Sequence, residues 1–190
     1  MERIPFGVSH LDSVIGGGAP SGTVVLLVGE PGAGAREFMY TSATMNAVAR
    51  ADRELFELHY GDLHDDAALP PEVHYLSFTD DEANLRREMA YVLDDDLVSA
   101  AADRIAVRDF SPEYFQLSPV PREWYLGETT RLQDLGGREE RSEVLTALGQ
   151  YLNANAAENL VVIDSITDLV AGISDEMTWN DIAMLLRGLG

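Results

Sequence analysis

A glycine-rich stretch, Gly29-Glu30-Pro31-Gly32-Ala33-Gly34, lies between the apolar run Thr23 to Val28 and a segment of helical periodicity. No other feature constrains the fold as much. The order of strand, Gly-rich loop and helix is the setting of a phosphate-binding loop, in which Lys and then Ser or Thr follow the last glycine. Here Ala35 stands in the place of the Lys, and Arg36 in that of the Mg-binding hydroxyl residue. The glycines that shape the loop remain, while both side chains that would manage a triphosphate have changed. Successive backbone N–H groups opening a helix still form an anion cradle, so nucleotide binding does not require the lost Lys. A tight strand-to-helix turn that binds nothing is the simpler alternative.

No neighbouring Lys takes over, because all 13 basic residues are Arg. Against 33 acidic residues they leave a formal net charge of -20 and a pI near 4.3. That balance argues against nucleic acid or an anionic membrane as partner. It resembles the balance of haloarchaeal cytosolic proteins, for which a Debye length of about 3 Å in molar salt screens surface self-repulsion. Cys is absent, so neither disulfides nor thiolate metal sites are available. There is no signal-like N-terminal segment and no long apolar run, and the expectation is a cytoplasmic, soluble chain. With 190 residues, 46% of them hydrophobic, one well-buried domain is expected over residues 1–190.

Along the chain, Arg3 to Gly22 is a Gly- and Pro-bearing lead-in. Val24 to Val28 reads as a central parallel strand buried on both faces. Ala35 to Arg50 reads as a helix, Asp52 to Glu72 as an irregular, mobile acidic insertion, and Val73 to Phe78 as a strand. Glu82 to Leu93 is an amphipathic helix running into a solvated end, Asp94-Asp95-Asp96. Arg104 to Phe110 is a third strand, and the Pro-bearing Ser111 to Leu126 a loop. Arg138 to Ala157 is helical, Leu160 to Asp164 a strand and Glu176 to Leu189 helical. Strands alternating with helices imply an α/β domain with a mainly parallel sheet flanked by helices.

Three further residues bear on chemistry. Arg36 reads either as a surface Arg, paired with Glu37 or pointing into solvent, or as a substitute for the missing Lys. As a substitute its planar fork would sit differently on phosphates. Asp164 ends an apolar strand, where ligands of open α/β sheets collect and where nucleotide enzymes place the acid that holds Mg; a turn or cap role with Ser165 and Thr167 is the alternative. Thr79, Asp80, Asp81 and Glu82 read as helix-start residues, with Asp80 also a candidate for orienting an attacking water. His59, Asp62, His64, Asp65 and Asp66 read as a solvated acidic loop rather than a metal site. Tyr114, Phe115, Trp124 and Tyr125 read as cover for a sheet edge rather than a partner surface or a base-stacking site.

Ile4-Pro5-Phe6-Gly7-Val8 with Leu11-Asp12, Gly16 to Gly22, the loop Gly29 to Gly34, Leu76-Ser77-Phe78 and Val161-Val162-Ile163-Asp164-Ser165 together resemble the RecA-superfamily ATPases of the KaiC and RadA group, most closely their haloarchaeal KaiC-like branch. The resemblance covers essentially the whole chain. It implies a RecA-like P-loop fold, ATP or ADP with Mg as ancestral ligands, Asp164 as the Mg-holding acid, and assembly with a protein partner or further copies of the chain. In that group an acidic pair follows the second strand, and Thr79-Asp80 stands there instead. Loss of the Lys, the hydroxyl and the acidic pair together leaves hydrolysis near background. The expected function is a pseudo-ATPase regulatory or signal-transduction module. The alternatives are an active ATPase, with Arg36 on the phosphates and Asp80 orienting water, and a RadA-like recombination accessory protein. The resemblance further implies strands beyond the helix after Asp164. The sequence ends at Gly190, so either a fragment or an open sheet edge awaiting a partner is expected.

Overall fold

The computed structural model describes residues 1–115, 143–172, 184 and 188. A short ribbon pairs β1 (Arg3–Ile4) with β2 (Ala19–Pro20), and α1 (Ser9–Val14) lies between them. There follow α2 (Ala35–Ala51), α3 (Arg53–Tyr60), β3 (Val73–Ser77), α4 (Glu82–Val92), α5 (Asp95–Ala101) and β4 (Ile105–Asp109). The series closes with α6 (Ser111–Phe115), α7 (Glu143–Asn155), β5 (Leu160–Asp164) and α8 (Ile166–Gly172).

The sheet is parallel, in the order β4-β3-β5. Its register sets Val73 beside Ile105 and Leu160, and Ser77 beside Asp109 and Asp164. All five residues of β3 are buried, as a central strand covered on both faces must be. Strand side chains alternate between faces. Val73 and Tyr75 therefore join one core with Tyr40, Val48, Phe56 and Met89. Leu76 joins the other with Phe78, Phe110, Leu148, Leu152 and Leu169. Among the described residues, helices thus cover both faces of a three-stranded parallel sheet, which makes this a mixed α/β fold.

Local chemistry sets the helix ends. In α2, Tyr40, Ala43, Ala47 and Val48 recur at helical spacing, and all are buried. Asp52 ends α2 and caps α3, accepting from Leu55 N at 3.0 Å, and Asp81 caps α4, accepting from Asn84 N at 2.7 Å. The N-terminal lead-in is pinned by Asp12, which is 0% exposed. Its carboxylate accepts from the backbone N–H groups of Phe6, Gly7 and Val8 at 2.8, 3.0 and 3.2 Å, and from the Tyr60 hydroxyl at 3.0 Å. Burial, with the Asp12 charge beside it, pushes the Tyr60 hydroxyl above its ordinary range and keeps it a donor. Gly18 has no room for a side chain, since a Cβ there would lie 2.0 Å from Ile4 O.

Several expectations need correction. Val24 to Val28 is not a buried central strand: it forms no ladder in the described residues, and its side chains are 43% to 80% exposed. An apolar run shows only that a segment suits burial; the neighbours that would bury it come from elsewhere, and the described residues supply none. Asp52 to Glu72 is not irregular throughout. It holds α3, whose Phe56 and Tyr60 join the core, because Asp52 supplies a cap and Gly61, at φ 88°, a stop. Asp94, Asp95 and Asp96 open α5 rather than close α4, which suits acids facing the positive end of a helix dipole. Ser111–Phe115 is helical; the rest of Ser111 to Leu126 lies outside the described residues. So do residues 138–142 of the Arg138 helix and the Glu176 to Leu189 helix as a unit. Among the described residues no helix is long and apolar enough to cross a membrane.

Replacing Asp12 strands three backbone donors, so Asp12→Ala should destabilise the fold by about 3 kcal/mol and Tyr60→Phe by about 1 kcal/mol. Urea unfolding checks this through a lower midpoint at unchanged slope. Equal midpoints for wild type and Asp12→Ala would show that Asp12 is not the anchor of the N-terminal segment.

Candidate functional site

Parallel strands β3 and β5 bring Ser77 and Asp164 side by side at their carboxyl ends, and the N-terminus of α2 faces the same end. The glycine loop leads into that helix. Ala33 N donates to Glu30 O at 2.9 Å, Phe38 N to Gly34 O at 2.9 Å, and Gly32 and Gly34 hold φ of 82° and 84°. These left-handed conformations suit glycine, so the sequence signal at Gly32 and Gly34 is conformational. A Cβ at Gly32 would meet nothing within 4 Å. Strain in φ, not crowding, therefore sets the constraint there. Gly29 to Ala33 are exposed, and Gly34, Ala35 and Arg36 are half-buried.

Arg36, in the first turn of α2, directs its guanidinium to the strand ends. Its Nε lies 3.1 Å from Asp164 Oδ2, and its Nη1 lies 3.5 Å from both Asp80 Oδ2 and Glu88 Oε2. The expected pairing with Glu37 does not form among the described residues. Nor is the cation left free for a phosphate, because three carboxylates already face it. Asp164 also accepts from the Tyr75 hydroxyl at 2.9 Å, and Glu88 from the Tyr40 hydroxyl at 2.7 Å. Asp80 accepts from Thr79 Oγ1 at 3.2 Å and from the Asn84 side-chain amide, while its own N–H donates to Ser77 Oγ at 2.9 Å.

Among the helix-start candidates the roles divide. Asp81 caps α4 and Glu82 opens it, whereas Asp80 belongs to the Arg36 cluster. At β5 the cap role falls to Ser165, whose hydroxyl donates to Asp168 Oδ2 at 2.5 Å and accepts from Asp168 N at 3.1 Å. Asp164 faces Arg36 instead.

Sequence reasoning missed Tyr40, Tyr75, Asn84 and Glu88. A spacing signal existed for three of them: Tyr40 lies one helical turn after Arg36 on α2, and Asn84 and Glu88 are one turn apart on α4. Tyr75 carried no such signal, being an apolar-type residue on a buried strand.

Burial and charge oppose each other in this cluster. Burial disfavours the charge on Arg36, but the pull of Asp164, then Tyr40 and Asp80, outweighs it and holds the guanidinium above its ordinary range. For Asp164, burial dominates and raises the carboxyl pKa, although Arg36 and the Tyr75 hydroxyl oppose the shift. The opposite outcomes follow from exposure: the Asp164 side chain is 4% exposed and Arg36 is 39%. Desolvation therefore falls mainly on the carboxylate. Burial likewise raises the Tyr75 and Tyr40 hydroxyls, keeping both as donors.

One oxygen each of Asp164 and Glu88, Oδ2 and Oε2, and both oxygens of Asp80 are thus engaged by N–H and O–H donors. Among the described residues no group of three acid or His side chains is arranged to hold a metal. The second metal candidate also disperses: His59 Nδ1 lies 3.8 Å from Asp94, His64 Nδ1 accepts from Asp66 N at 3.1 Å, and Asp66 faces the N-terminal amine at 3.9 Å.

No family model, curated protein or solved structure matches the chain.

Because the folded-state pKa of Asp164 is raised, its favourable contribution to stability is complete below the unfolded value of about 3.9 and is lost as pH rises through the folded value. Asp164→Asn should therefore flatten the fall in stability from about pH 4 towards neutrality and raise stability at pH 7 relative to wild type. Denaturant midpoints of both proteins across that range check the sign. A variant less stable than wild type at pH 7, with the same pH slope, would contradict it.

Proposed function

We propose that this chain is a RecA-like domain of the KaiC and RadA type whose nucleotide site has been converted into an internally neutralised one. It acts as a pseudo-ATPase regulatory or signal-transduction module through contact with a protein partner or further copies of itself. One observation carries the reading: the Arg36 guanidinium lies among Asp164, Asp80 and Glu88, the acids that would otherwise organise Mg and an attacking water. A fixed cation satisfies those carboxylates but offers no exchangeable coordination position. It can neither bridge phosphate oxygens nor deliver water as Mg does. With Arg36 committed to acids and Ala35 in the place of the Lys, no side chain of the loop is left for the γ-phosphate.

The backbone of the loop retains the positive-φ glycines that shape a cradle. Its ligand on this reading is ATP or ADP held weakly by the N–H groups of Gly32 and Gly34, that of Ala33 being given to Glu30 O, without a requirement for Mg. The charge of -20 supports a protein rather than a nucleic-acid partner.

Calorimetric titration of ATP and ADP into the protein in molar KCl, with and without Mg, tests this reading together with a turnover assay. Weak heats that Mg does not strengthen, and turnover indistinguishable from buffer, are expected. Binding strengthened by Mg and weakened by Asp164→Ala, with turnover lost in Asp80→Ala, would overturn it in favour of a working ATPase.

A further inference from the structure

The N-terminal ends of the strands, away from the Arg36 cluster, hold a buried polar group that the proposed function does not use. His74, on the central strand β3, is 3% exposed, and both of its ring nitrogens have neighbours. Nδ1 lies 2.9 Å from the Tyr151 hydroxyl on α7, whose ring stands edge-on to the imidazole. Nε2 lies 3.3 Å from Glu72 Oε2 and 3.4 Å from Asn159 Nδ2. Those last two neighbours make opposite demands. A carboxylate only accepts, so it calls for a proton on Nε2, whereas an amide NH2 only donates and calls for a bare Nε2. We propose that His74 is a proton-operated latch: its neutral ring accepts from Asn159 through Nε2 and leaves the Glu72 carboxylate to solvent, and its protonated ring takes that carboxylate up.

One of the competing partners is fixed and the other is free. Asn159 Oδ1 accepts from Glu72 N at 3.0 Å, and Nδ2 donates to Asn155 O at 2.9 Å. A backbone N–H cannot accept and a carbonyl cannot donate, so this amide cannot be turned over, and its NH2 stays towards His74. Asn155 is itself held, its side-chain amide donating to Tyr151 O at 2.8 Å. The Glu72 side chain, by contrast, is 67% exposed. Its backbone is tied down, the N–H on Asn159 and the carbonyl accepting from Leu160 N at 3.1 Å, so the carboxylate can exchange without backbone movement. The fixed donor therefore decides the neutral tautomer: the proton sits on Nδ1, donated to the Tyr151 oxygen, and Nε2 accepts. Uptake of one proton from solvent at Nε2 turns that acceptor into a donor, turned against Asn159 and towards Glu72.

The surroundings leave the exchange to these groups. Among the described residues Glu72 is the one charged side chain paired with the ring. In register beside His74 stand Ala106 on β4 and Val161 on β5, neither of which titrates. Tyr151 does titrate, but burial raises its hydroxyl pKa, with Arg108 on β4 opposing the shift and Glu72 adding to it. It therefore stays a neutral hydroxyl, able to accept from Nδ1 in both states of the ring.

NMR of the full chain between about pH 5 and 8, where an imidazole changes charge, tests the latch. Long-range proton–nitrogen correlation reads the His74 ring nitrogens, alongside the Glu72 side-chain carboxyl carbon and the Asn159 side-chain amide. Above the transition the ring is expected to carry its proton on Nδ1 with Nε2 bare. Below it both nitrogens are protonated, and the Glu72 and Asn159 signals step at the same pH as the ring. In His74→Gln both steps are lost; if that variant does not fold, the wild-type spectra decide alone. A neutral ring protonated on Nε2, a ring that stays neutral throughout, or a Glu72 signal that passes the ring's transition unmoved would each overturn the proposal.

Discussion

The guanidinium of Arg36 is the point at which separate parts of the chain meet. Through it the N-terminus of α2 is tied to the end of β5 at Asp164, to the segment after β3 at Asp80 and to α4 at Glu88. Each carboxylate is buried or half-buried, at 4%, 16% and 37% side-chain exposure. Without the cation they would form a concentrated negative charge in a protein already at -20. Tyr75 and Tyr40 donate to the same carboxylates from the core side. The cluster is therefore continuous with the packed interior and is not a surface ion pair.

A guanidinium and a divalent ion solve the same electrostatic problem with different consequences. Either one neutralises acids gathered at the carboxyl ends of parallel strands. Only the metal leaves positions open to phosphate and water, and only the guanidinium is covalently part of the fold. Molar salt would screen exposed pairs such as Arg53 with Glu57, but it reaches a partly buried pair much less. A site closed by Arg36 would thus stay closed in the ionic conditions that the composition suggests. The price is desolvation, visible in the raised pKa of Asp164.

Much of this was legible in the sequence, and the failures share a cause. The strands at Val73 and Leu160 emerge from their apolar runs and the long helix from Ala35 from its periodicity; β3 is buried throughout as its run encodes, while β5 is buried only at Val162 and Asp164. The sequence also singled out Arg36, Asp80 and Asp164, from their positions relative to the glycine loop and the strand ends, and the structure sets them in one cluster. Their mutual contact was not legible, since it depends on how α2 crosses the sheet, and one-dimensional spacing does not carry crossing geometry. The same limit explains Val24 to Val28, where an apolar run reads as buried although its neighbours decide the matter. It also explains Asp94 to Asp96, where charge alone does not tell the end of one helix from the start of the next. Tyr75 was invisible because a single Tyr on a buried strand carries no pattern, whereas the spacing of Asn84 and Glu88 places them on one helix face without saying what that face meets.

A double-mutant cycle on Arg36 and Asp164 probes the hub most directly, using denaturant midpoints of wild type, Arg36→Ala, Asp164→Asn and the double variant in molar KCl. If the guanidinium is the internal counterion of that carboxylate, Arg36→Ala costs more with Asp164 present than with Asn in its place. The expected coupling is about 1 kcal/mol, towards the low end for contacting charges because Arg36 is 39% exposed. Additive effects, with coupling indistinguishable from zero, would mean that Arg36 does not neutralise Asp164 and that the acids remain available to a metal.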